Sequence, residues 1–348
     1  MHKRLTSTER IFLAQRLSIY LRSGIPLMHA LDLVAECMRP AHAAPFADVM
    51  ERVRAGSPLS SALAAHPRLF PALYCQIIAA GEAGGGLSRS LERVAALLLR
   101  RQELVRSCAA ALAYPAVVCL GTVGITSLLL LYAFPKVIPL FAGMHVPLPR
   151  TTRILISFSN FIAGHAFGIG GLAAALPAIF ALSYRKPRAR AILERIALGT
   201  PFIGTVLQGF ILSSLFRTIA ELLESGVSLP TAISLARESI PNAPYRATLA
   251  RMEKSVLRGM PLSAGMRSFP ARYPSLAVQL IEVGERTGTL PESARTVSGF
   301  FEEQLERDLA AMSAALEPAL LLVTGCIVGF VALAVISPMY QITQSFSL

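Results

Sequence analysis

Apolar positions along this chain follow two patterns. In three stretches, residues 107–135, 154–184 and 318–348, no Asp, Glu, Lys or Arg interrupts the sequence. About 20 apolar residues span a bilayer as a helix, so each stretch is long enough to cross. They predict transmembrane helices over residues 113–135, 154–184 and 317–340. Elsewhere apolar residues alternate with charged ones at helical spacing, as at Leu91, Val94, Ala95, Leu98 and Leu99. Thr6 and Glu9 have capping-box spacing at the head of a helix ending near Gly24. Prolines at 26, 45, 58 and 71 fit the first turns of successive short helices, where the missing N–H costs nothing, with Ser57 as N-cap before Pro58. No strand-like alternation stands out. The predicted class is an all-α membrane protein. The polar start MHKRLTSTER, with no long apolar run before Ser107, carries no expectation of a cleaved signal peptide.

The chain also repeats itself. Leu21-Arg22-Ser23-Gly24-Ile25 matches Leu223-Glu224-Ser225-Gly226-Val227 at an offset of about 202 residues. From Gly56 the offset becomes about 203: Gly56-Ser57-Pro58-Leu59-Ser60 matches Gly259-Met260-Pro261-Leu262-Ser263. Gly81-Glu82 with Gly85 and Leu87 matches Gly284-Glu285 with Gly288 and Leu290, and Tyr114-Pro115 matches Glu317-Pro318. The predicted unit is a helical-bundle domain followed by one span, used twice. Residues 1–112 form the first domain, 113–135 the first span and 136–153 an external loop. The second span, 154–184, returns the chain to the cytosol. Residues 185–316 repeat the first domain, 317–340 form the third span, and 341–348 a short external tail. The last cytosolic helix is expected to run from Pro291 into the membrane without a break.

Charge sets the orientation. Residues 1–112 hold 14 Lys and Arg against 8 Asp and Glu, and residues 185–317 hold 16 against 13; the loop between the first two spans has only Lys136, Arg150 and Arg153. By the positive-inside rule both domains are cytosolic and the C-terminus external. Most of the net charge of +12 records this topology together with attraction to anionic headgroups. No basic patch interleaved with aromatics marks a nucleic-acid binder. A mean hydropathy of +0.55 with 16% charged residues excludes a chain soluble throughout. The five cysteines lack a CxxC pair, so neither a metal site nor a disulfide framework is expected. His165 lies within the second span, where it reads as a neutral hydrogen-bonding side chain.

The repeated L-x-S-G-[IV]-x-L, G-x-P-L-S and G-E-x-x-G-x-L motifs, the Tyr-Pro and Glu-Pro pairs at the membrane edge, and Pro135-Lys136-Val137-Ile138-Pro139-Leu140-Phe141 followed by Leu148-Pro149 resemble the inner-membrane platform proteins of type II secretion systems, type IV pili and DNA-uptake pili. The resemblance covers nearly the whole chain. It implies a non-enzymatic role at the bacterial inner membrane, where such proteins couple a hexameric cytosolic assembly ATPase to extraction and stacking of pilin or pseudopilin subunits. It also implies other inner-membrane assembly proteins as partners, a homo-oligomer, and no cofactor. The rival reading is a small transporter or channel subunit acting as an oligomer. Spans without a charged residue offer it little substrate pathway, and no catalytic signature stands out.

Candidate sites come mostly from the repeat. Gly81-Glu82-Ala83-Gly84-Gly85-Gly86 suggests a phosphate-binding loop, but its partner Gly284-Glu285-Arg286-Thr287-Gly288-Thr289 keeps only the first glycine, the glutamate and one later glycine, and no Lys-Ser/Thr follows either. A helix C-cap and turn is the plainer expectation. Gly81, Glu82, Gly85, Gly284, Glu285 and Gly288 remain candidates for partner or interdomain contact, as does Glu317 at the membrane edge. Pro115 and Pro318 are expected to set helix shape. Gly164 with Gly168, and Gly325 with Gly329, have the G-x-x-x-G spacing that permits close helix packing.

Overall fold

A computed structural model describes residues 5–128, 157, 187–200 and 203–345. Among these residues the secondary structure is helical, with no strand. The first copy contains α1 (Ser7–Arg22), α2 (Leu27–Ala35), α3 (Pro40–Arg54), α4 (Leu59–Ala64), α5 (Ala72–Ala83) and α6 (Leu87–Leu128). A connecting helix follows, α7 (Pro187–Gly199). The second copy repeats the order as α8 (Ile203–Glu224), α9 (Leu229–Ser239), α10 (Ala243–Val256), α11 (Leu262–Arg267), α12 (Ser275–Thr287) and α13 (Leu290–Ser345). Apart from residue 157, the predicted second span, with Gly164 and Gly168, lies outside the described residues.

Local chemistry sets the helix limits. Thr6 and Glu9 form the full capping box: Thr6 Oγ1 accepts from Glu9 N at 3.3 Å, and Glu9 Oε2 accepts from Thr6 N at 2.8 Å. Three turns in each copy pass through a left-handed glycine, Gly24, Gly56 and Gly85 in the first and Gly226, Gly259 and Gly288 in the second. Only glycine adopts that conformation without a steric cost. The prolines depart from expectation. Pro26, Pro58 and Pro71 occupy the N-cap itself rather than the first turn, and Pro45 lies inside α3. Ser57 therefore is not the cap of α4. A proline at the N-cap has no side-chain acceptor, so the free N–H groups of α4 must find one elsewhere.

The chain divides into two units, one of residues 1–107 with 191–308, the other of residues 108–190 with 309–348. In the first unit α1–α5 and the start of α6 close over Leu17, Leu31, Phe46, Leu63, Ile77 and Val94, all at most 2% exposed. Burying each such side chain is worth about 1.5–3 kcal/mol. Leu222, Ala232 and Leu235 of the second copy join this same core. The second core gathers Leu212, Phe216, Ile233, Tyr245, Tyr273 and Val297. Its helix α8 is apolar enough to cross a membrane by composition, but more than half of its most apolar window is buried within the protein. It is a core helix.

The second unit, among the described residues, contains the C-terminal parts of α6 and α13, together with residue 157 and the first residues of α7. The apolar windows of α6 and α13 are 0% buried, with Val117, Leu120, Val123, Leu321, Leu322 and Leu333 exposed. Such surface suits lipid rather than water. The two helices touch through hydroxyls: Thr122 Oγ1 lies 3.3 Å from Thr324 Oγ1, and Ser313 Oγ donates to the Ala111 carbonyl at 3.3 Å. Helix α13 is unbroken from Leu290, and it contains Pro318; Pro115 is likewise inside α6.

Candidate functional site

The two repeated motifs, G-x-P-L-S and G-E-x-x-G, meet in space. Glu82, in α5, extends its carboxylate to the start of α4, where Oε1 accepts from Leu59 N at 2.5 Å and Oε2 from Ser60 N at 2.9 Å. The Ser60 hydroxyl donates to the same oxygen. Glu82 thus supplies the cap that Pro58 lacks. The second copy repeats the arrangement: Glu285 accepts from Leu262 N at 2.5 Å, Ser263 N at 3.1 Å and Ser263 Oγ at 2.5 Å. Charged acceptors at a helix N-terminus gain from both the hydrogen bonds and the helix dipole.

The glycines beside these glutamates have different tasks. A Cβ at Gly81 would stand 2.0 Å from Ser90 Oγ and 2.5 Å from Ser90 Cβ, so Gly81 lets α5 and α6 approach closely. Gly284 does the same against Ser293, at 2.4 and 2.6 Å. Gly85 and Gly288 carry the left-handed turn into the long helices, with φ of 69° and 75°. The six residues of the glycine-glutamate motifs therefore hold each domain together, with both carboxylate oxygens engaged inside it. Glu317 is exposed on α13. A Cβ at Gly325 or Gly329 would meet nothing within 4 Å among the described residues, so the close packing their spacing permits is not made there.

A second polar cluster, which sequence reasoning missed, joins the copies within the first unit. Glu302 of α13 is only 4% exposed. Arg217 of α8 donates to it twice, Nε to Oε1 at 2.8 Å and Nη2 to Oε2 at 2.9 Å, and Arg100 Nε of α6 donates to Oε2 at 3.0 Å. Ser298 Oγ, itself buried, donates to the Ser213 carbonyl beside this group. Arg93 Nη1 adds a bond to the Glu224 carbonyl at 3.1 Å. What the copies share could not reveal Glu302, because its counterpart at the 203-residue offset is Leu99 and that of Arg217, at 202, is Gln15. The signal available was the difference, an acid where the first copy has a leucine. Among the described residues no group of three His, Cys, Asp or Glu side chains gathers to hold a metal ion.

Comparison with known proteins decides the family. The family model of the type II secretion system protein F matches the chain twice, over residues 13–135 and 215–338. The chain belongs to that family. The matched segments start 202 residues apart and end 203 apart, the offset seen between the motifs. Among members of the family and their relatives, the chain is 32% identical to the type 4 fimbrial assembly protein PilC of Pseudomonas putida, over 98% of this chain and 85% of that one. It is 31% identical to the type II secretion system protein F of Xanthomonas campestris pv. campestris, over 95% and 82%. It is also 29% identical to the type IV pilus assembly protein PilC of Myxococcus xanthus, over 92% and 77%. The three identities lie too close together to separate pilus from secretion relatives.

Proposed function

We propose that this chain is the inner-membrane platform of a type II secretion or type IV pilus machine, coupling a cytosolic hexameric ATPase to the extraction and stacking of pilin-like subunits. The duplicated protein F domain over residues 13–135 and 215–338 carries this reading. On it the chain acts without catalysis, as a homo-oligomer beside other inner-membrane assembly proteins and without binding nucleic acid. Both helical domains face the cytosol, the N-terminus lies inside and the C-terminus outside. The distribution of Lys and Arg supports that orientation.

The physical basis is a division of labour. Paired cores and the Arg100–Glu302–Arg217 cluster make the two copies one firm cytosolic body, fit to receive a push or a turn from a soluble partner. The exposed apolar faces of α6 and α13 offer lipid-facing surface to the helices of pilin-like subunits. Glu82, Glu285 and Glu317 remain proposed contacts to partners. The first two would act by fixing the domain surface around α4 and α11, and Glu317 directly from its exposed position.

Crosslinking the full-length chain in its native membranes, followed by mass spectrometry, tests the proposal. Recovery of the ATPase and pilin-like subunits is expected, with the ATPase lost when residues 1–106 are deleted. Solute flux by the purified chain in liposomes, with neither partner recovered, would sink it in favour of the transporter. Cysteine labelling from outside at residues 145 and 345, and not at 37, checks the orientation.

A further inference from the structure

Helix α7 lies ahead of the second matched segment, residues 215–338, and its outward face is unusual. Inwardly, Glu194 is 5% exposed and accepts from Ala243 N at 2.6 Å, at the head of α10. That bond fixes the rotation of α7. Residues 192, 195, 196 and 199 then share the opposite side, since positions three, four and seven apart lie on one face. Ile192 and Ile196 stand 61% and 59% exposed there, with Arg195 exposed between them. Ile203, at the start of α8, is 57% exposed.

Beside this face is a cavity of about 350 Å³ lined by Arg195, Arg251 and Arg272, together with Pro244, Thr248 and Phe269. None of the three arginines forms an ion pair with a carboxylate among the described residues. The Arg251 guanidinium lies 5.9 Å from the Phe269 ring centre. The backbone carrying Arg272 is held from below: its carbonyl accepts from Tyr245 Oη at 3.0 Å and from Gln208 Nε2 at 3.2 Å. Burial pushes the Tyr245 phenol well above its usual range, so that it keeps the proton it donates. The concavity is therefore lined by three arginines, which suits an anion, next to two exposed isoleucines.

We infer that this face of α7 lies in the membrane–water interface, with Ile192 and Ile196 among lipid chains and the Arg195–Arg251–Arg272 cavity holding the phosphate of an anionic phospholipid. Charge complementarity selects that occupant, and so does chain position: the uncharged stretch 154–184 ends immediately before Arg185 and Lys186, and Arg188 and Arg190 follow in the first turn of α7. The inference goes beyond the platform reading but shares its premise that residues 154–184 cross the membrane. A non-pilus membrane protein with the same segment would bind lipid in the same way, so the two readings fail separately.

The test uses the full chain in nanodiscs of phosphatidylcholine with phosphatidylglycerol. Native mass spectrometry should show retained phosphatidylglycerol, falling at least about tenfold in the Arg195→Gln/Arg251→Gln/Arg272→Gln variant, given that each basic residue near an anionic surface contributes appreciably. The triple Arg→Lys variant, which keeps the charges, should retain most of it. Nitroxides at Ile192→Cys and Ile196→Cys, in a background without the native cysteines, should be shielded from a water-soluble relaxant and open to oxygen; one at Leu257→Cys, 66% exposed, should show the reverse. Equal lipid retention by wild type and the Gln variant, with unchanged melting, overturns the inference. So do labels at 192 and 196 as water-accessible as that at 257, which would point to an acidic protein surface as occupant. Inorganic phosphate displacing phosphatidylglycerol at comparable concentration would identify a soluble anion and overturns it too.

Discussion

The two copies of the domain agree in what closes them and differ in what joins them. Each has a distant glutamate capping a proline-led helix, a glycine admitting a serine, and left-handed glycines in its turns. The cluster that joins them is asymmetric: Glu302 and Arg217 of the second copy, bonded to Arg100 of the first, stand where the first has Leu99 and Gln15. A duplicated sequence must fold twice by the same rules, so the closure is kept in both. A contact between the copies needs complementary partners, so the copies must there become unlike.

Making the second copy resemble the first should be the most disruptive change. Glu302→Leu removes the acceptor of two arginines. We expect a loss of about 2–3 kcal/mol, below the value for a fully buried pair because Arg100 is 36% exposed. Thermal melting of the full chain in detergent measures it, and adding Arg217→Gln should recover part by removing the stranded charge. Next in size, Gly81→Ala and Gly284→Ala drive a methyl into Ser90 and Ser293, costing about 1–3 kcal/mol. Ser90→Gly and Ser293→Gly should each rescue in part and nearly equally, because a backbone atom also lies 3.1 Å from the new Cβ in both copies, Gly86 O in the first and Leu290 Cα in the second.

Glu82→Ala and Glu285→Ala should cost about 1–2 kcal/mol each and nearly equally. Hydrogen exchange reads this locally, as faster exchange at Leu59 and Ser60 in one variant and at Leu262 and Ser263 in the other. Unequal effects would break the equivalence of the two clasps. The smallest effect concerns α1, whose capping box has no match in α8, where Gln208 and Ile211 stand instead of Thr6 and Glu9. Hydrogen bonds from the Thr6 backbone and side chain, with His42 and Arg39 nearby, hold the Glu9 carboxyl below its ordinary 4.5. Its contribution is therefore complete above about pH 4.5 and is lost as pH falls through the lowered value. Acidification should speed exchange, corrected for intrinsic rates, at the start of α1 before the start of α8.

Much of this architecture was legible in the sequence. Gly24, Gly56 and Gly85 recur at Gly226, Gly259 and Gly288 because a left-handed turn demands glycine each time, and Thr6 with Glu9 reads directly as a cap. The clasp was half legible: both motifs stood out, but α4 and α11 have six residues each, too short for periodicity to announce a helix needing a cap 22 or 23 positions away. Proline placement failed by one residue at Pro26, Pro58 and Pro71, since N-cap and first turn both tolerate a missing N–H. Glu302 was hidden because a repeat displays what stays the same.

The meeting of α6 with α13 has a historical meaning. Arg100 with Glu302 in the first unit, and Ala111 with Ser313 and Thr122 with Thr324 in the second, pair residues 202 apart, one position from the 203-residue register of the helices themselves. Contact between near-identical positions is the signature of an isologous dimer. The present chain is in effect such a dimer with its subunits tethered. Tethering frees each half from having to match the other, so a buried glutamate can stand in one where the other has a leucine.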